Sequence, residues 1–224
     1  MKKIIITLVS SIFLLFGNAN ALGLNLGLSG AGGVFDVDGA TEKNADATKN
    51  AADEKEDAEG LYAIGSAFAE ITFTDRIAIG VDYVPHALES NQVSNEKEVL
   101  AGTGKTVGTN VTNTAEVHVE DLTTVYASLF LNDNIYVKAG YSKGDVLTIE
   151  NLGTGGAYPD TTIDGIVVGL GYDKDLPNGM FVRMEANFMD YDSVQVTNTN
   201  DSTKKITIDG VGGYGAKLSI GKSF

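Results

Sequence analysis

The feature that most constrains this chain is a period-two alternation recurring in eight segments, apolar on one parity and small or polar on the other. The first sets Leu22, Leu24, Leu26 and Leu28 against Gly23, Asn25, Gly27 and Ser29. In the second, Leu61, Ala63, Ala67, Ala69, Ile71 and Phe73 oppose Ser66, Glu70 and Thr72, and in the third Ile77, Ile79, Val81 and Tyr83 oppose Ala78, Gly80, Asp82 and His86. The fourth reads Val117, Val119, Val125, Ala127, Leu129 and Leu131 outward, with His118, Glu120, Thr124, Tyr126 and Ser128 inward. Ile135, Val137, Ala139 and Tyr141 face away from Lys138, Gly140 and Ser142 in the fifth. The last three apolar sets are Ile166, Val168, Leu170 and Tyr172, then Val182, Met184, Ala186 and Phe188, then Tyr214, Ala216, Leu218 and Ile220. Opposite them stand Gly165, Gly169 and Gly171, then Arg183, Glu185 and Asn187, then Gly215, Lys217 and Ser219. Phe68, Leu122 and Phe181 break the parity as bulky inward residues, which a narrow interior requires to fill its volume.

The connections alternate in length. Asp75-Arg76, Asn132-Asp133-Asn134 and the stretch holding Pro177-Asn178-Gly179 have turn chemistry. Long polar segments lie between them, near 39–59, 87–115, 151–162 and 197–205. Short turns at one rim and long loops at the other is the arrangement of a membrane-crossing barrel. No segment after residue 21 is apolar for 18 residues, the length a helical span needs. Hydrocarbon cannot hydrogen-bond a sheet edge, so strands crossing it must pair all the way round. A soluble lipocalin-like barrel would turn the apolar faces inward and expose glycine and serine, a poor exterior. The expected fold is therefore all-β, an eight-stranded antiparallel up-and-down transmembrane barrel.

Residues 1–21 read as a cleaved signal peptide: Lys2 and Lys3, an apolar run over 4–16, and Ala19-Asn20-Ala21 at the cleavage site. Residues 22–224 are read as the barrel domain. With Lys2 and Lys3 removed, 14 basic residues face 30 acidic ones, a balance that argues against a nucleic-acid partner. There is no cysteine, so burial and backbone hydrogen bonds must supply the stability.

Counting residues from each turn places Glu70, Asp82, Lys138, Arg183, Glu185 and Lys217 inward at similar height. Three acids and three bases in one confined layer are tolerable when paired. The plain reading is a salt-bridged plug, since an eight-stranded lumen is just wide enough for side chains.

The stretch Ile135-Tyr136-Val137-Lys138-Ala139-Gly140-Tyr141, the segment Phe181-Val182-Arg183-Met184-Glu185, and a last strand with Tyr214, Ala216, Leu218 and Ile220 ending in Phe224 together resemble the eight-stranded outer-membrane barrels of the OmpA-type and opacity-protein-like group. That resemblance implies export to a bacterial outer membrane and contact with its lipid and lipopolysaccharide. It also implies an assembly signal at Phe224, Ile220 and Leu218, read by the barrel-assembly machinery, and a luminal charge layer able to act as a gate. Lys222 departs from the pattern, where an aromatic residue is usual, and no peptidoglycan-binding segment follows Phe224, so wall anchoring is not implied.

Other motifs carry less. The acidic stretch Asp53, Glu54, Glu56, Asp57 and Glu59 lacks the spacing and central glycine of an EF-hand and reads as a solvated loop, with a weak divalent bridge to lipopolysaccharide as the sharper alternative. Gly102-Thr103-Gly104-Lys105-Thr106 imitates a phosphate-binding loop but has Val99 where the motif needs glycine. Asn110-Val111-Thr112 and Asn200-Asp201-Ser202 match glycosylation sequons of little weight here. His86 and His118 are the only imidazoles, and neither has a serine two residues on. We expect no cofactor, no metal, no enzymatic activity and a monomer. The functional classes left are a structural barrel, a surface adhesion module and a narrow gated pore.

Overall fold

A computed structural model describes residues 23–43, 54–98, 108–153, 156–200, 202 and 204–224. Residues 1–21, Asp53 and the stretch from Gly102 to Thr106 lie outside these. The strands are β1 (Gly23–Lys43), β2 (Glu54–Thr74), β3 (Ile77–Tyr83), β4 (Leu88–Glu89), β5 (Val93–Glu98), β6 (Asn110–Phe130), β7 (Ile135–Leu152), β8 (Thr161–Asp175), β9 (Met180–Tyr191), β10 (Val194–Thr197), β11 (Lys205–Ile208) and β12 (Val211–Ser223). Eight of them, β1, β2, β3, β6, β7, β8, β9 and β12, pair antiparallel with their neighbours, and β1 pairs with both β2 and β12 to close the sheet. The closed eight-stranded barrel is the architecture the alternation predicts.

Register sets its shape. Following directly paired residues from Gly27 through Phe68, Asp82, Thr124, Ser142, Gly165, Tyr191 and Val211 leads back to β1 at Val37, ten residues beyond the start. With strands ~4.8 Å apart and ~3.3 Å per residue, that stagger means a tilt of about 40° and a backbone radius of about 8 Å. Such a cylinder has room for one layer of side chains.

The turn chemistry is local. Thr74 Oγ1 accepts from the Arg76 and Ile77 amides at 3.2 and 3.1 Å, and Asn132 Oδ1 accepts from Asn134 and Ile135, both at 2.9 Å. Between β8 and β9, Asn178 and Gly179 adopt left-handed φ of 67° and 73°, which asparagine and glycine tolerate best.

Outside, Leu28, Ile79, Val125, Val137, Leu170, Met184, Leu218 and Ile220 form an exposed apolar belt. Phe73 and Phe224 border it on the turn side; Tyr83, Tyr141, Phe188 and Tyr214 lie toward the loops, the aromatic placement of a membrane barrel. Inside, five large aromatics each lie over a glycine directly across the strand pair: Phe35 over Gly60, Phe68 over Gly27, Tyr126 over Gly80, Tyr136 over Gly171 and Phe181 over Gly221. A Cβ on any of these glycines would collide with the ring.

Two expectations change. The polar segments near 39–59 and 87–115 are partly strand, because β1 runs on to Lys43, β2 starts at Glu54, and β4, β5 and the start of β6 fall within the second. Their period-two polarity lacks apolar contrast above the belt, so pattern alone reads them as loop. The fourth segment also changes face. A bulge between Glu120 and Thr123, with Asp121 at φ 52°, reverses the parity of the upper part of β6. Val119 pairs with buried Val146 and lies inward beside Gly144, while Glu116, His118 and Glu120 pair with Ile149, Leu147 and Asp145 on the outer face. Val117 and Val119 are therefore inward, and His118 and Glu120 outward, the reverse of the expectation.

Candidate functional site in the barrel lumen

Strand parity alone turns the luminal charges inward; the closed register then stacks them. On the turn side, Arg183 from β9 reaches across to Glu70 on β2, donating from Nη1 to Oε2 and from Nη2 to Oε1, both at 3.0 Å. Its Nε donates to Asp173 Oδ2 on the adjacent β8 at 2.6 Å. Glu70, only 1% exposed, also accepts from Asn25 Nδ2 at 2.9 Å and Tyr126 Oη at 3.2 Å. The guanidinium lies 4.5 Å from the Phe181 ring centre, so a face packs against an aromatic ring while each of its three nitrogens donates to a carboxylate.

Above this, Lys138 donates to Glu185 Oε1, whose other oxygen accepts from Tyr136 Oη at 2.8 Å. The Lys138 ammonium sits 5.2 Å over the Tyr126 ring. Nearer the loops, Lys217 donates to Asp82, which also accepts from Ser66 Oγ at 3.2 Å. All six residues singled out from the sequence thus point into the lumen and form three cross-barrel ion pairs. Bidentate, multiply bonded geometry is what makes a buried charge tolerable.

Asp173 is the residue sequence reading missed. It directly opposes Arg183 and continues the inward parity of Gly169 and Gly171 by one more step, so extending the alternation past Tyr172 would have found it.

The ion pairs divide the interior. A cavity of about 20 Å³ lies among Phe68, Ser128, Tyr136, Arg183 and Glu185. A second, of about 60 Å³, lies toward the loops among Tyr62, Ile64, Val84, Leu122, Val167 and Met189. Asp82, Tyr126, Lys138 and Lys217 line both, so they form the partition between them. The loop-side half of the lumen is thus largely apolar, and Leu122, read from the sequence as a bulky inward residue, is part of its lining.

No protein-family model matches the chain, and no curated relative matches it. Among solved structures, the fold is similar to that of the outer membrane protein OprG from Pseudomonas aeruginosa, at 11% identity over 91% of this chain and 96% of that one, with a TM-score of 0.47. It is also similar to Neisserial surface protein A, at 9% identity, 87% and 96% coverage and a TM-score of 0.35. The outer membrane protease OmpT from Escherichia coli aligns at 9% identity over 92% and 96%, with a TM-score of 0.39. No residue role is transferred from any of them.

The remaining singled-out residues lie elsewhere. Phe224 is 67% exposed at the end of β12, its amide donating to Leu24 O at 2.9 Å, and Ile220 and Leu218 face outward on the same strand. His86 Nε2 accepts from the Gly65 amide at 3.0 Å and its Nδ1 sits 3.1 Å from Ala87 O, so both ring nitrogens are engaged. His118 Nε2 lies 2.8 Å from Glu116 Oε1. That carboxylate, with Glu89 and Glu120, raises the imidazole pKa above its ordinary value, against an opposing effect of desolvation.

Proposed function

We propose that this chain is a structural barrel of a bacterial outer membrane, non-enzymatic, sealed along its axis by the Arg183–Glu70, Lys138–Glu185 and Lys217–Asp82 pairs. The observation that carries the reading is an inside-out polarity: an exposed apolar belt around a lumen crossed by ion pairs and aromatic rings, which separate a cavity of about 20 Å³ from one of about 60 Å³. A soluble barrel of this size has no reason to expose Leu61, Leu28, Met184 and Leu218, each more than 60% accessible. On this reading the belt contacts lipid and lipopolysaccharide, and Phe224, Ile220 and Leu218 present the signal read by the assembly machinery.

The test is electrical. In planar bilayers the folded wild-type chain is expected to show no steady conductance. A stable ohmic current of nanosiemens size from the monomer would overturn the sealed reading.

A second reading, a narrow gated path, is favoured by one observation: Lys138, Lys217 and Asp82 line both cavities. An exchange of partners among these groups and Glu185 would join the two spaces. Lys138→Ala or Glu70→Ala should then change the opening statistics of a conducting preparation. Unchanged traces from both variants would remove this reading.

A further inference from the structure

We propose that Glu89, Glu116 and His118 form a binding site for a divalent transition metal, zinc in the first instance, on the outer wall of the barrel beyond the apolar belt. Nothing in the sealed-barrel reading uses these residues.

The site is assembled by backbone geometry. Glu116 and His118 are two apart on β6 and so share a face. The bulge at Asp121 turns that face outward. The two-residue strand β4 pairs with β6 here, placing Glu89 directly opposite His118. Ser90 anchors the crossing: its amide donates to Val117 O at 2.9 Å, and its Oγ accepts from the Val117 amide at 2.9 Å. Two strands held in fixed register thus present three ligands from one surface.

The ligand atoms are already close. One nitrogen of His118 and one oxygen from each glutamate lie within 4.8 Å of one another, and His118 Nε2 is 2.8 Å from Glu116 Oε1. A zinc ion bound at ~2.1 Å to each would need ligand separations of about 3.4 Å. Binding would therefore require rotation of the exposed Glu89 side chain and a small opening of the His118–Glu116 pair.

Charge points the same way. Among the described residues no Lys or Arg forms an ion pair with either glutamate. Glu120, two residues further along the same face, opposes Asp145 directly, a like-charge pair that is unfavourable on a sheet. A dication would offset this concentration of negative charge. One imidazole with two carboxylates suits zinc and its first-row neighbours, whereas calcium and magnesium prefer all-oxygen shells. Three protein ligands would leave further coordination positions open to the surroundings.

The experiment is calorimetric titration of zinc chloride into the full barrel, folded in detergent and stripped with chelator, at pH 8. One zinc ion per chain is expected at a site that millimolar magnesium does not displace. His118→Ala and Glu89→Gln should each weaken it at least tenfold. Cobalt substitution should give visible d–d absorption that the variants lose. Wild-type affinity in both variants, or displacement by equimolar magnesium, would overturn the proposal, since either result marks diffuse binding to acidic surface. Glu89 is exposed on a two-residue strand, so Glu89→Gln keeps the test decisive even where His118→Ala disturbs folding, which gel migration before and after boiling reports.

Discussion

Replacing Arg183 with methionine removes the cation that holds two carboxylates inside the barrel. Methionine fills much of the same volume and can remain against Phe181, so the change is chiefly one of charge and hydrogen bonding. Three donor contacts disappear, two to Glu70 and one to Asp173. Glu70 retains Asn25 and Tyr126 as donors, but neither is charged, and Asp173 loses the hydrogen bond that its carboxylate accepts from Arg183 Nε. Breaking a buried pair from one side typically costs 3–5 kcal/mol, and we expect a value of about 4 kcal/mol. The cycle with Glu70→Gln separates lost attraction from orphaned charge. The double variant should be less destabilised than the two single changes added together, by about 2 kcal/mol, because it no longer buries the Glu70 carboxylate unpaired. Urea unfolding of the barrel in lipid vesicles, followed by gel mobility, measures all four corners. A loss below about 1 kcal/mol for Arg183→Met, or strict additivity in the cycle, would refute the view that this cluster holds the turn side of the lumen together.

Three shorter predictions probe other parts of the structure. Leu218→Arg, in the middle of the apolar belt, should destabilise the barrel in vesicles by about 2–4 kcal/mol, whereas a surface facing water would accept it with little change, so the same unfolding assay distinguishes the two surroundings. Gly80→Val drives a side chain into the Tyr126 ring and should cost about 1–3 kcal/mol, while Gly30→Val, with open space around its position, should cost far less; comparing their unfolding midpoints checks the pairing. Glu150→Gln should hold the loop-side contact to the Tyr158 amide and raise stability at pH 8, because burial raises the Glu150 pKa above its ordinary value and penalises the ionised form. That gain should vanish as pH falls and the wild-type carboxyl takes up its proton, which thermal melts at pH 8 and pH 4 would show.

The alternation of apolar with small or polar residues was enough to identify the eight crossing segments, because side chains in a strand alternate faces whatever the strand pairs with. The same parity turned Glu70, Asp82, Lys138, Arg183, Glu185 and Lys217 inward. The turns at Asp75-Arg76, Asn132 and Asn178 were equally legible, being made of contacts within a few residues, although the acceptor that holds the first of them, Thr74 Oγ1, came from the structure. Closure decided the rest. Which acid meets which base depends on the ten-residue stagger accumulated around the ring, and this brings Arg183 to Glu70, 113 residues away, while Asp173 enters as their third member. One left-handed residue, Asp121, reversed the face of the upper part of β6 and moved His118 from the lumen to the outer wall. Local periodicity specifies a strand's two faces. A bulge, a stagger and a partner across a cylinder are properties of the whole closed sheet, because each depends on hydrogen bonds between strands far apart in the chain.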